Sequence, residues 1–150
     1  RGATFLVTLP VTETATAPTP APPSRDVPTG LRILVVDDEP PMREMMAEAL
    51  TSRGSRIQTA GSGEEALELL TRSTVDVLVL DVKMPGMSGP DLWSRLNGTN
   101  PALARRSVFC TGDVVRDDVR AFLAETGCAV VTKPFELAQL FDAVAQAASR

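Results

Sequence analysis

Short apolar runs alternate along the chain with longer stretches in which apolar residues recur every three to four positions. The short runs cover residues 31–36, 56–60, 75–81, 107–110 and 129–132, and those at 31–36 and 75–81 are rich in Val, Leu and Ile. Runs of this length, bounded by Gly, Pro or polar residues, are typical of parallel strands that are buried on both faces. The pattern therefore predicts five strands.

The longer stretches each present one apolar stripe at helical spacing. Pro40 and Pro41 suit a first helical turn, and Gly54 and Gly127 suit the residues that follow a helix. The stripes comprise Met42, Met45, Met46, Ala49 and Leu50; Ala66, Leu67 and Leu70; Leu92, Trp93 and Leu96; Val115, Val119, Phe122 and Leu123; and Leu137, Leu140, Phe141, Val144 and Ala148. This alternation predicts an α/β fold, a doubly wound five-stranded parallel sheet with helices on both faces.

Composition divides the chain into three segments. Residues 1–10 alternate apolar and polar side chains from Thr4 to Leu9, as a strand at the tail end of a preceding domain would. Residues 11–30 are rich in Pro, Thr and Ala, and their five prolines predict an extended linker rather than a helix or central strand. Residues 31–150 carry all five strand–helix units, so we expect them to form the folded domain.

The charge and composition of the chain argue against contact with nucleic acid, contact with a membrane and a cysteine metal site. Fifteen basic and nineteen acidic residues give a net charge of -4 without a long basic cluster, which argues against direct contact with nucleic acid. No apolar run approaches membrane-spanning length, so we expect no membrane contact in this part of the protein. Cys110 and Cys128 lack metal-ligand spacing and are predicted to be core residues. Because the sequence starts at Arg1 and contains no histidine, we expect a longer parent protein and histidine chemistry supplied from elsewhere.

Polar side chains follow the carboxyl ends of four predicted strands. In a parallel sheet these ends meet along one edge, which is where ligands bind. Each residue type is common in caps and solvated loops, but the whole set at one edge indicates a functional site. The set comprises Asp37, Asp38, Asp81, Thr111 and Lys133.

This set has the parts needed for phosphoryl transfer. Three carboxylates at one point repel one another, and a hard divalent cation relieves the repulsion, which predicts an Mg²⁺ or Mn²⁺ site. With the cation and Lys133 nearby, Asp81 would be ionised and able to attack phosphorus, giving an aspartyl phosphate. The cation, Lys133 and the Thr111 hydroxyl would then bind the three phosphoryl oxygens.

Four motifs together resemble the response-regulator receiver domain. They are Val-Asp-Asp-Glu at 36–39, Asp81 with Met-Pro-Gly-Met-Ser-Gly at 84–89, Thr111 followed by Gly112, and Lys133-Pro-Phe. The resemblance spans residues 31–149 and implies a flavodoxin-like fold with strand order 2-1-3-4-5. It also implies a cis peptide bond between Lys133 and Pro134.

The resemblance assigns roles to the polar residues. It makes Asp81 the phosphoacceptor, and Lys133 and Thr111 the groups that bind the phosphoryl oxygens. The metal site it implies uses Asp38 and Asp81 directly, with Asp37 further from the ion and the backbone carbonyl of Lys83 as an additional ligand.

One position departs from the family pattern. Receivers commonly place Tyr or Phe three residues before the lysine, and this ring turns inward when the threonine moves toward the phosphate. Val130 stands at that position here. The resemblance therefore implies a switch of Thr111 and Val130 that has no aromatic ring.

Two shorter resemblances concern the larger protein. Residues 104–106 and 111–113 resemble the corresponding segments of receivers fused to sensor kinases. Near the start of the chain, a separate pattern resembles the closing strand of histidine-kinase ATP-binding domains, and it is formed by Gly2, Phe5, Leu9 and Pro10. Together they imply that this receiver lies at the carboxyl end of a hybrid sensor histidine kinase. The receiver would be cytoplasmic, and the parent kinase can be membrane-anchored. The implied partners are a histidine kinase or a histidine phosphotransfer domain. The fragment itself would catalyse only its own phosphorylation and dephosphorylation.

Two other function classes stay open. A receiver fold used only for docking would have no need of the complete acidic set together with Thr111 and Lys133. A phosphatase with an aspartyl nucleophile would place a second acid two residues after Asp81, where Lys83 stands instead. We therefore expect phosphate acceptance rather than docking alone or substrate hydrolysis.

Overall fold

Five parallel strands form one sheet in the computed structural model, which describes residues 2, 26–112 and 116–150. The strands are β1 (Arg32–Val36), β2 (Arg56–Ala60), β3 (Val77–Asp81), β4 (Ser107–Thr111) and β5 (Ala129–Thr132). They lie in the order β2-β1-β3-β4-β5, and all four pairings are parallel. The predicted sheet and its 2-1-3-4-5 order are confirmed.

Helices cover both faces of this sheet, as predicted. They are α1 (Pro40–Ser52), α2 (Gly63–Arg72), α3 (Gly89–Thr99), α4 (Pro101–Arg105), α5 (Asp117–Thr126) and α6 (Leu137–Ala148). Apolar residues of α1 and α6 share one core cluster, and those of α2, α3, α4 and α5 share the other. In the described part of the chain, no helix combines the length and apolar character required to cross a bilayer.

Alternation along the inner strands β1, β3 and β4 divides their side chains between these two cores. In β1, Ile33 and Val35 enter the α1/α6 cluster, whereas Leu34 and Val36 enter the other cluster. Because both faces are covered, these strands are apolar at consecutive positions rather than at every second one. All five residues of β3 are buried, including Asp81 at its carboxyl end.

Three details differ from the predicted elements. Met45 and Leu137 are predicted to be buried, but they are 37% and 40% exposed, because Met45 lies at the margin of the packed face of α1 and Leu137 is the first residue of α6. Helix α4 was not predicted, since five residues are too few to show a stripe. It begins at Pro101 after Asn100, whose side chain accepts a hydrogen bond from the Leu103 amide over 3.2 Å.

The first segments of the chain are described only in part. The predicted strand within residues 4–9 and most of the predicted linker lie outside the described residues, and so does Val115 of the fourth stripe. Within the described part, Val27 is buried in the α1/α6 core, and the Gly30 amide donates to the Gly54 carbonyl over 2.9 Å. The folded unit therefore includes contacts made by residues before Leu31.

Candidate functional site

The candidate site lies along the carboxyl edge of the sheet. Asp81 and Thr111 are the last residues of β3 and β4, and Asp37 and Lys133 directly follow β1 and β5. The parallel register brings these ends to one edge, and the Lys133 amide donates to the Thr111 carbonyl over 2.7 Å. The structure thus brings together the carboxyl ends of four strands that are widely separated in sequence, and the Asp37, Asp81 and Lys133 side chains meet there.

Three carboxylates form a compact acidic cluster. Asp37, Asp38 and Asp81 each offer an oxygen, and these oxygens lie within 4.8 Å of one another. Asp37 and Asp81 are 0% and 5% exposed, while Asp38 is half-buried. The next acid, Glu39, is exposed and does not join the cluster; its backbone amide donates to Asp37 Oδ1 over 2.9 Å.

Lys133 supplies the positive charge of the site. Its Nζ donates to Asp37 Oδ2 over 2.9 Å and lies 3.3 Å from Asp81 Oδ1. Both oxygens of Asp37 are therefore engaged, one by Lys133 and one by the Glu39 amide. Asp38 makes no hydrogen bond or ion pair within the described residues, which leaves its carboxylate available to a cation.

Burial and charge act in opposite directions on the Asp81 carboxyl. Burial raises its pKa, Lys133 lowers it and Asp37 raises it again, with a net pKa of about 6. For Lys133, burial lowers the pKa, but the hydrogen bond and charges of Asp37 and Asp81 outweigh burial and raise it above the ordinary value. A second positive charge beside Asp81 would favour its ionised, nucleophilic form.

The donor set fits a hard divalent cation. Mg²⁺ prefers oxygen ligands and binds through one or two carboxylates while keeping water molecules. The cluster offers only carboxylate oxygens, and the Lys83 backbone follows Asp81 at the same edge. The Lys83 backbone amide lies close enough to the Asp81 carboxylate to lower the pKa of that carboxyl, so this segment lies beside the acidic cluster.

The loop after Asp81 returns closely to the end of β3. The Gly89 amide donates to the Val82 carbonyl over 3.2 Å. A Cβ atom at Gly89 would lie 2.3 Å from the Asp81 carbonyl oxygen, so this position excludes any side chain. Gly89 belongs to the Met-Pro-Gly-Met-Ser-Gly motif, but the local sequence gives no physical reason for a glycine there, because a close backbone approach leaves no periodic signal.

An open cleft of about 550 Å³ lies beside the loop, between it and the start of α5. Its lining includes Lys83, Ser88, Thr111, Gly112 and Arg116. A second cleft of about 510 Å³ lies where β1 and β2 begin, and it contains none of the predicted site residues. Of these two clefts, the one beside Thr111 therefore borders the candidate site.

The two predicted switch residues differ in exposure. Thr111 is buried, at 2% exposure, whereas Val130 of β5 is 40% exposed. Cys110 and Cys128 are both buried free thiols, which confirms their predicted place in the core. The predicted cis bond between Lys133 and Pro134 is also present.

Comparison with known proteins identifies the family. The family model of the response regulator receiver domain matches residues 33–145. The crystal structure of a response regulator receiver domain protein from Clostridium thermocellum superposes with a TM-score of 0.72 at 28% identity, covering 79% of this chain and 94% of that one.

Two similar proteins belong to different classes, one being a transcriptional regulatory protein and the other a sensor kinase. The probable transcriptional regulatory protein TcrX of Mycobacterium tuberculosis is 42% identical over 108 residues, which cover 72% of this chain and 45% of TcrX. The sensor kinase CckA of Brucella abortus is 37% identical over 114 residues, which cover 75% of this chain and 12% of CckA. The chain spans less than half of either relative. On the match over residues 33–145, the chain belongs to the response regulator receiver domain family of two-component signalling.

Proposed function

We propose that this receiver accepts a phosphoryl group from a phosphohistidine onto Asp81 in a reaction that depends on Mg²⁺ or Mn²⁺. The observation that carries the proposal is the position of Asp81, which is buried at the end of the central strand and surrounded by charged groups. Lys133 Nζ lies 3.3 Å from it, and Asp37 and Asp38 offer oxygens within 4.8 Å.

In the proposed reaction an Asp81 carboxylate oxygen forms a bond to phosphorus while the phosphorus–nitrogen bond of phosphohistidine breaks. The electron pair of that bond stays on the imidazole, which takes up a proton. Lys133 and Thr111 bind two of the phosphoryl oxygens and stabilise their charge in the transition state. Asp38 and Asp81, with Asp37 and the Lys83 carbonyl, would hold the cation, which neutralises the remaining oxygen charge when bound.

The proposed donor or acceptor is a histidine kinase or a histidine phosphotransfer domain, because this chain has no histidine of its own. We further propose a hybrid sensor histidine kinase as the parent, with residues 1–10 ending its kinase part, residues 11–30 as linker and the receiver in the cytoplasm. Similarity to the sensor kinase CckA supports this parent. Higher identity to TcrX, a transcriptional regulatory protein, favours a transcriptional regulator as the second candidate.

Phosphorylation by small donors tests the central claim. Wild-type protein with Mg²⁺ and either acetyl phosphate or phosphoramidate, which contains a phosphorus–nitrogen bond, should gain one acid-labile phosphate. Asp81→Asn should gain none, because an amide is not a nucleophile toward phosphorus. Asp117→Asn, a substitution at an exposed aspartate of α5, is the matched control and should behave as wild type.

Mass spectrometry of the trapped phosphoaspartate locates the modified residue. Phosphate on another side chain would refute the assignment of Asp81. Wild-type protein that takes up no phosphate from either donor would favour a docking module instead. Sustained release of inorganic phosphate from an added phosphomonoester would favour the phosphatase class.

A further inference from the structure

Helix α2 contacts the loop that follows the phosphoacceptor. Glu64, in the first turn of α2, accepts a hydrogen bond from the Met87 backbone amide through Oε1 over 3.2 Å. Gly63, which precedes Glu64, also packs closely against Met87, since a Cβ added at Gly63 would lie 2.8 Å from Met87 Cβ and Cγ. At the turn of the loop, Gly86 has a φ of +74°, and a Cβ there would lie 3.3 Å from Glu64 Oε1. The two segments therefore form one fitted contact.

The same loop is fitted to Asp81 at its other end. Met87 is 9% exposed and stands two residues before Gly89, whose backbone lies against the Asp81 carbonyl. At the beginning of the loop, the Lys83 backbone amide lies near the Asp81 carboxylate, where it lowers the pKa of that carboxyl. The path from Asp81 through Lys83 to Gly89 is thus anchored at both ends on β3. Its middle is anchored on α2 through Met87.

Glu64 is well suited to hold the middle of the loop. Among the described residues, the Met87 amide donates to Glu64 and to no other group. A carboxylate accepts such a hydrogen bond more strongly than a neutral group does. Its negative charge is also favourable at this place, because it lies in the first turn of α2.

We propose that Glu64 is a positioning residue for the phosphorylation site. It holds the Met87 amide and so keeps the backbone around Lys83 in place beside Asp81, where the metal ligand and the entry to the cleft are located. Glu64 itself touches neither the acidic cluster nor the phosphoryl group. The inference rests on the proposed function, since it concerns how well the same site binds its cation and accepts phosphate.

Three variants separate the hydrogen bond from the charge. Glu64→Gln keeps an acceptor oxygen and loses the charge, whereas Glu64→Ala loses both. Glu68→Ala is the matched control, because Glu68 lies one turn further along α2, is exposed and, among the described residues, pairs through its side chain only with Arg72. Each protein is tested for Mg²⁺ affinity, for phosphorylation rate with acetyl phosphate and for melting temperature. The Met87 amide resonance in a ¹H–¹⁵N spectrum reports on the contact directly.

Glu64→Ala should weaken Mg²⁺ binding and slow phosphorylation by about fivefold, as expected for the loss of one hydrogen bond, and should shift the Met87 amide resonance. Glu64→Gln keeps an acceptor oxygen but loses the charge that strengthens the hydrogen bond, so its losses should lie between those of Glu64→Ala and wild type. Glu68→Ala should stay within about twofold of wild type in both measurements. Unchanged affinity and rate in Glu64→Ala would overturn the inference, even if the melting temperature fell. Equal losses in Glu64→Gln, or in Glu68→Ala, would also overturn it, because charge rather than position would then be responsible.

Failure of the proposed function would look different. Wild-type protein would then take up no phosphate at all, while the Mg²⁺ affinities and the Met87 resonance would still decide whether Glu64 holds the loop.

Discussion

Lys133 donates to Asp37 over 2.9 Å, although the two residues are 96 positions apart and follow strands β5 and β1. The same ammonium lies 3.3 Å from Asp81, so one cation is shared between two buried carboxylates. When no metal is bound, the Lys133 ammonium therefore reduces the electrostatic repulsion between the Asp37 and Asp81 carboxylates.

Removing Lys133 should impair both stability and chemistry. Lys133→Ala leaves Asp37 and Asp81 facing each other without compensation, so we expect the free energy of unfolding in EDTA to fall by about 3 kcal/mol. The domain should remain folded, and phosphorylation by acetyl phosphate should be slow. Arg120→Ala is the control, since it removes the same charge from an exposed side chain of α5. Denaturant unfolding and phosphorylation rates provide the two measurements, and equal behaviour of both variants would contradict the role of Lys133.

Removing Asp38 should affect metal binding more than folding. Because Asp38 has no hydrogen bond within the described residues, Asp38→Ala should change the unfolding free energy in EDTA very little. Its Mg²⁺ affinity should fall by about tenfold or more, since a direct ligand is lost. Glu39→Ala removes the neighbouring exposed acid and should bind Mg²⁺ as wild type does. Titration followed by NMR shifts tests both variants, and unchanged binding in Asp38→Ala would refute its assignment as a ligand.

The raised pKa of Asp81 predicts a pH-dependent stability in EDTA. The folded pKa of about 6 lies above the ordinary 3.8, so the folded state binds the Asp81 proton more tightly. This contribution is fully present below pH 3.8 and is lost as pH rises through 6. Asn cannot ionise. The unfolding free energy of Asp81→Asn should therefore rise by about 2 kcal/mol relative to wild type between pH 4 and pH 7.

Denaturant unfolding of both proteins across this pH range measures the difference. A difference that stays constant with pH would show that Asp81 titrates near its ordinary value. Added Mg²⁺ should reverse the trend at neutral pH, because it binds the ionised wild-type cluster and stabilises the folded state.

Two glycines of α3 should respond in opposite directions to alanine. Gly89→Ala places a Cβ 2.3 Å from the Asp81 carbonyl oxygen and should destabilise the domain by about 1–3 kcal/mol. At Gly98 nothing lies within 4 Å of the added atom, so Gly98→Ala should stabilise by about 0.5–1 kcal/mol through helix propensity. Melting temperature and phosphorylation rate check the pair. Equal effects at both positions would contradict the close approach of Gly89 to β3.

Phosphorylation should change the loops more than the surface of β5. The phosphate adds nearly two negative charges at Asp81, and Thr111 needs only its hydroxyl to move toward them. Val130 offers no ring that could turn inward, and it is already 40% exposed. Amide shifts induced by beryllofluoride should therefore concentrate in residues 84–89 and 112–116. A large shift at Val130 and along α6, together with dimer formation in light scattering, would contradict this prediction.

The local sequence determined most of the secondary structure and the composition of the site. Predicted segments 56–60 and 63–72 coincide with β2 and α2, because alternation, helical spacing and the bounding glycines are properties of neighbouring residues. The predicted edge of the sheet followed from the same local signals, since parallel strands must align their carboxyl ends. The signals were insufficient where a helix is only five residues long, as in α4, or where a residue borders the apolar stripe, as Met45 does.

Only the tertiary structure decided which charged and polar groups of the site contact one another. It shows that Lys133 lies closer to Asp37 than to Asp81, and that Glu64 reaches Met87 across 23 positions of sequence. It also shows why position 89 must be glycine and why the pKa of Asp81 is about 6. These properties depend on distances between segments that fold together from far apart, and on burial to which several elements contribute at once. Such quantities have no local pattern, because the same residues at the same spacing would carry different charges and contacts in another packing.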